Sequence, residues 1–195
     1  MNETSQTDRF APLFAELDRR LVGEAPVRLA IEGGSASGKT TLGKILAERY
    51  DCTVFHMDDF FLRSEQRTAA RFAEPGGNVD RERFLAEVLL PLRRGEKVFY
   101  RRFDCASMQL QNAVETAPKK LVVAEGAYSM HPDLAPYYDL SVFLDISPEL
   151  QRERISRRNT PEKAKRFFAE WIPMEQTYFA AFDIPAKCTL RLPIL

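Results

Sequence analysis

Phe10, Leu13, Phe14, Leu17 and Leu21 recur at the three- and four-residue spacing that lines one face of a helix. The pattern then changes. "VRLAIEG" (27–33) is a short continuous apolar run closed by glycine, which reads as a strand buried on both faces. Leu42, Ile45 and Leu46 return to helical spacing. Three more apolar runs follow, at "CTVFHMD" (52–58), "KLVVAEG" (120–126) and "LSVFLDI" (140–146), and each predicts a strand. "CTLRLPIL" (188–195) predicts a fifth, which Pro193 confines to a sheet edge or an early end.

Between the second and third strands lies a long insert, about 60–118, with turn chemistry at "EPGGN" (74–78). A helix is expected from about Asp80, turning Phe84, Val88, Leu89 and Leu92 inward. After the fourth strand, Ser147 is placed to cap a helix whose first turn holds Pro148. Pro161 and Pro173 punctuate two further helical stretches. Buried strands separated by helices imply a parallel sheet covered on both faces, hence an α/β, doubly wound fold.

Composition narrows the class. A chain of 195 residues with 45% apolar and 29% charged residues fits one globular domain over 1–195. The 28 basic and 28 acidic residues balance, so bulk charge gives no reason to expect a nucleic-acid partner. Cys52, Cys105 and Cys188 form no CxxC pair, and "MNETSQTDRF" has neither a basic nor an apolar segment of a secretory signal. These features point to a reducing cytoplasm, and no run is long enough to span a membrane. His56 and His131 lack metal-ligand spacing, so zinc is not expected. The oligomeric state is left open, and a homo-oligomer is compatible with the chain.

The chemistry is concentrated at "GGSASGKTT" (33–41), which matches the phosphate-binding P-loop. Gly33 and Gly38 free the backbone so that the amides of Gly34, Ser35, Ala36 and Ser37 can curl around phosphate oxygens. The helix opening at Lys39 adds its positive dipole end. Lys39 would reach the outer phosphates, Thr40 would offer its hydroxyl to Mg²⁺, and Thr41 completes the motif.

Four acidic residues end predicted strands: Glu32, Asp58, Glu125 and Asp145. Ligands of open parallel sheets gather at those ends. Asp58 follows the strand after the P-loop helix, where a carboxylate could hold a substrate hydroxyl and take its proton. Asp59 suits a turn cap and Glu32 a structural role. Glu125 and Asp145 compete for a second Mg²⁺ position, with Glu125 preferred, acting through a metal-bound water. "QRERISRRN" (151–159) places Arg154, Arg157 and Arg158 on a predicted helix. They form either a solvated face or a lid, about 151–172, that closes on the transferring phosphoryl group and substrate. Tyr100 and Phe103, beside Phe99, suit ordinary packing or the stacking of a planar base.

Together, "GGSASGKTT", "HMDDFF", "LVVAEG" and "RERISRR" resemble the uridine kinase branch of the P-loop kinases, a group that includes nicotinamide riboside kinase, pantothenate kinase and phosphoribulokinase. The resemblance runs from about Val27 to Tyr178 and takes in "EWIPMEQTYF". It implies a P-loop NTPase fold of three layers, with a five-stranded parallel sheet, a small helical lid, and ATP and Mg²⁺ as cofactors. It implies Asp58 as the general base, Glu125 near Mg²⁺, Arg154 and Arg157 against phosphates or substrate, and Asp80 as the acidic residue of the substrate loop. Two departures stand out. No histidine follows Phe103-Asp104 within a few residues, the next being His131, and the lid reads "RRNTPEKAKRF" without the family's glycine.

The expected activity is transfer of the ATP γ-phosphate to a primary hydroxyl of a small molecule, foremost the 5′-hydroxyl of a uridine- or cytidine-like nucleoside. The rivals are a riboside, pantothenate-like or sugar acceptor, and a nucleotide-dependent regulatory ATPase or switch.

Overall fold

Successive side chains of a strand point to opposite faces, and here both faces are apolar. The computed structural model describes residues 9–195; the first eight, most of the stretch considered above for a secretory signal, lie outside them. β1 (Val27–Gly33), β2 (Cys52–His56), β5 (Leu121–Glu125), β6 (Leu140–Ile146) and β7 (Leu190–Ile194) form one parallel sheet in the order β2-β5-β1-β6-β7. Leu29 and Ile31 join Leu121, Val123, Val142 and Leu144 in one core with α1 (Ala11–Leu21) and α2 (Lys39–Arg49). Ala30, Val122, Ala124 and Phe143 face a second core containing Phe55, Phe84, Val88 and Tyr178. The α/β fold expected from the apolar pattern is therefore present, with Pro193 on an edge strand.

The insert contains one feature that the pattern did not show. β3 (Val98–Asp104) and β4 (Gln109–Thr116) pair antiparallel as a separate two-stranded sheet. A register shift between Arg101 and Phe103 breaks the alternation of β3, and most of β4 is exposed, so neither strand carries a clean period of two. The insert also holds the short helix α3 (Ala69–Ala73). The helix expected near Asp80 is present, and the Asp80 carboxylate accepts the Arg83 amide at 3.1 Å to cap it. Its segments Arg81–Phe84, Leu85–Leu89 and Leu90–Arg93 run on as one helix, α4 (81–93).

Ser147 caps α5 (Pro148–Arg158) by accepting the Leu150 amide at 3.2 Å. Pro161 opens the next helix, but Pro173 does not interrupt it. Residues 161–182 form α6, and its Phe167–Trp171 segment widens to π geometry just before Pro173. Leu85–Leu89 does the same ahead of Pro91 in α4. A wider turn accommodates the missing amide and ring bulk of proline without ending the helix. A short helix, α7 (Ile184–Lys187), leads into β7.

Candidate active site

β1 hands the chain to the P-loop, and α2 receives it. Gly38 at φ +100° is the left-handed residue ahead of Lys39, and a Cβ on Gly33 would sit 2.7 Å from the Leu144 carbonyl oxygen. Lys39 curls back over the loop, its Nζ donating to the carbonyls of Gly33 (2.7 Å) and Gly34 (2.9 Å). The Ser37 hydroxyl is buried inside the loop with no partner, an orphaned donor where a phosphate oxygen would be satisfied. Thr41 is exposed on the first turn of α2.

The metal candidates meet at the end of the same helix. The Thr40 hydroxyl donates to Glu125 Oε1 at 2.9 Å, and His56 Nδ1 lies 2.6 Å from that oxygen. The β2–β5 register, which places His56 beside Glu125, explains the second contact. The Glu125 bond raises the His56 pKa. Hard oxygen donors beside a phosphate loop suit Mg²⁺, so Thr40 and Glu125 fit the ion that the resemblance implies. Asp145, the rival for this role, pairs instead with Arg191 at 2.7 Å.

β2 ends at His56, two residues earlier than expected, and Met57–Phe60 forms a single tight 3₁₀ turn. Asp58 therefore projects from a turn rather than a strand end. The residue is open to solvent on the cleft side, and its carboxylate accepts no hydrogen bond among the described residues. The protein mass behind it is enough for desolvation to raise its pKa, opposed chiefly by Lys39 and reinforced by Glu125. Asp59 turns away from the cleft toward Arg102, 3.4 Å distant.

Three side chains from distant helices grip the loop. Glu175, on α6 and 4% exposed, accepts both the Ser35 amide (2.9 Å) and the Ser35 hydroxyl (2.6 Å). Gln151 donates to the Ser35 carbonyl at 2.9 Å, and Arg154 NH1 donates to the Ala36 carbonyl at 3.3 Å. Beneath the loop, Glu32 accepts the amides of Gly33, Tyr128 and Met130 and the hydroxyl of Tyr178. Burial nevertheless pushes its carboxyl up to about 7. Glu32 thus joins the P-loop to the segment after Glu125.

The structure brings 33–40, Asp58 and Glu125 together and sets Arg154 against the loop at the Ala36 carbonyl. It places the other candidates differently. Asp80 is buried at 1% exposure, capping α4 between Arg63 and Arg83. Tyr100 is 4% exposed and stacks on Phe60, and Phe103 is 5% exposed, so neither ring has a free face. Arg157 is exposed on α5, and Arg158 lies over the ring of Phe167. Glu175, Gln151 and His56 were missed by sequence reasoning. "EWIPMEQTYF" contains Glu175 and was part of the resemblance, but nothing local distinguishes that glutamate from a surface one.

A shikimate kinase family model matches residues 35–92, the P-loop helix and the first half of the insert. A uridine kinase of Clostridium perfringens is 22% identical over 150 residues, which cover 72% of this chain and 71% of that one. The solved structure of a possible uridine kinase from Bacillus stearothermophilus superposes with a TM-score of 0.72 at 18% identity, covering 96% of this chain and 99% of that one. A putative fructose transport system kinase from Silicibacter gives a TM-score of 0.70 at 23% identity, covering 88% and 91%. The structural likenesses establish the P-loop kinase fold. The sequence likeness bears out the resemblance to uridine kinases and supports a nucleotide-using phosphotransferase.

Proposed function

We propose that this chain is a kinase that transfers the γ-phosphate of ATP to a primary hydroxyl of a small molecule. The observation that carries this reading is Asp58, an unpartnered carboxylate held at the cleft that contains Lys39 and the Thr40–Glu125 pair. A regulatory ATPase has no need of a base placed for a substrate hydroxyl.

Lys39 and the 33–38 backbone would hold the phosphates, and Arg154 would offset charge on the transferring group. Asp58 would align the acceptor hydroxyl and take its proton. Thr40, directly, and Glu125, through water, would hold Mg²⁺, which would supply positive charge to offset that of the phosphates. The substrates are small molecules rather than nucleic acid, and the setting is the cytoplasm. No helix among the described residues is long and apolar enough to cross a membrane.

A nucleoside such as uridine or cytidine, reacting at its 5′-hydroxyl, is the acceptor to which the motif resemblance points. A riboside, pantothenate-like or sugar acceptor is the second reading, and three observations favour it. The rings of Tyr100 and Phe103 are packed inside, and the Asp104 carboxylate is taken up by Ala106 and Ser107 of its own turn.

The test is coupled ADP release with ATP and Mg²⁺ against nucleosides, pantothenate and sugars, with the phosphorylated product identified. Acceptor-stimulated release is expected. Slow ATP hydrolysis that no hydroxyl compound accelerates would sink the kinase reading and favour a switch.

A further inference from the structure

The turn that presents Asp58 is held from behind by a buried arginine. Arg83, in the first turn of α4, is 8% exposed. Its NH2 donates to the Asp59 carbonyl at 3.0 Å, and its NH1 to the Arg101 carbonyl on β3 at 2.5 Å. NH1 also reaches Glu87 at 3.3 Å, and the same carboxylate accepts the Arg101 amide at 3.2 Å. The guanidinium carbon lies 4.3 Å from the ring centre of Phe60, the last residue of the Asp58 turn. Asp80 Oδ2 sits 3.5 Å from Arg83 Nε, with Arg63 Nε 3.6 Å away on its other side.

Taking a guanidinium out of water is costly, and an apolar residue of similar volume would fill this space beside Phe60 without that cost. What an apolar residue cannot do is donate to two separate backbones at once. Lysine cannot reproduce it either, because its ammonium lacks the rigid planar fork. The two carbonyls belong to the segments that must be registered if Asp58 is to point into the cleft: the Met57–Phe60 turn and β3.

We propose that Arg83 is a positioning residue for phosphoryl transfer, fixing the Asp59 carbonyl against β3 and thereby the direction in which the Asp58 carboxylate enters the cleft. The role of Asp58 rests on the kinase reading above; the hold of Arg83 on its turn does not.

The test compares the wild-type protein with Arg83→Lys and Arg83→Met by amide hydrogen exchange and steady-state kinetics. Lysine keeps the charge without the fork, and methionine keeps the bulk without the charge. Exchange should accelerate about tenfold or more in peptides covering 57–62 and 98–104, and stay unchanged over 27–41. With an acceptor that supports wild-type turnover, kcat should fall about tenfold or more while KM for ATP stays within about twofold. Unchanged exchange over 57–62 overturns the inference, as does acceleration that spreads equally to 27–41. A loosened turn with an unchanged kcat overturns the positioning role. If no acceptor stimulates the wild-type protein, the kinase reading fails, and the exchange data still decide whether Arg83 holds the turn.

Discussion

Replacing Asp58 with asparagine removes a proton acceptor and almost nothing else. The side chains have the same shape, and the Asp58 carboxylate accepts no hydrogen bond among the described residues, so no donor is orphaned. Its pKa is raised by desolvation, which means the folded state disfavours the ionised form. At neutral pH a neutral amide should therefore leave stability unchanged or slightly higher. Loss of a positioned general base typically costs about 10²- to 10⁴-fold in rate, or roughly 3–5 kcal/mol of transition-state stabilisation. The cost should fall on kcat, with ATP affinity within about twofold, because Lys39 and the loop amides are untouched. The wild-type pH profile should carry an acid limb, since Asp58 must be ionised to act, displaced upward from an ordinary carboxylate. That limb should be missing from the variant's residual activity. The assays are acceptor-dependent ADP release across pH, nucleotide binding by calorimetry, and thermal unfolding. A D58N protein that turns over within about threefold of wild type refutes the base assignment. A variant that loses ATP binding or unfolds early refutes the claim that Asp58 is free of structural work.

Gly126→Ala should damage stability and rate together. Gly126 has φ +145°, and an added Cβ would lie 2.5 Å from Met57 Cβ, so the strain of about 1–3 kcal/mol falls on the turn that carries Asp58; unchanged denaturation and kcat would contradict this. Glu125→Gln should raise the Mg²⁺ concentration for half-maximal activity about tenfold with little effect on apo stability, and an unchanged Mg²⁺ titration would remove Glu125 from the site. His131 is held at about 4 by burial against an ordinary 6.5, and its Nδ1 accepts the Asp133 amide at 3.2 Å. The folded state thus resists protonating it, and stability is lost as pH falls from 6.5 toward 4, by about 3 kcal/mol. His131→Asn should flatten that loss in urea unfolding at pH 7 and pH 4, whereas equal losses in both proteins would show that other groups carry the acid sensitivity.

Legibility followed range along the chain. The sheet could be read because its central strands β1, β5 and β6 are buried on both faces and so appear as apolar runs, whatever their partners. The P-loop could be read because its chemistry is local: the glycines, Lys39 and Thr40 act within eight residues of each other. Asp58 and Glu125 could be placed because a parallel sheet sends its strand ends to one side. The β3–β4 hairpin failed on the same logic, since a bulge after Arg101 and an exposed β4 leave no period for a pattern to show.

The residues that were missed act across the chain. Glu175 reaches Ser35 over 140 positions, Gln151 over 116, and Arg83 reaches Asp59 over 24. No spacing rule connects such pairs, and each is an ordinary helical residue until the fold brings it to a backbone. Glu175, Gln151 and Arg83 share one feature: each binds main-chain groups of the P-loop or of the Asp58 turn. The Ser35 and Asp59 peptides belong to loops that a sheet edge alone would leave free to move. Catalysis by alignment needs such loops fixed to within a fraction of an ångström, and the restraint here comes from helices that follow them in the chain, α4 for the Asp59 peptide and α5 and α6 for the Ser35 peptide. On the kinase reading, the motif residues would supply the chemistry of this cleft, and the side chains that hold its loops would determine whether that chemistry is aligned.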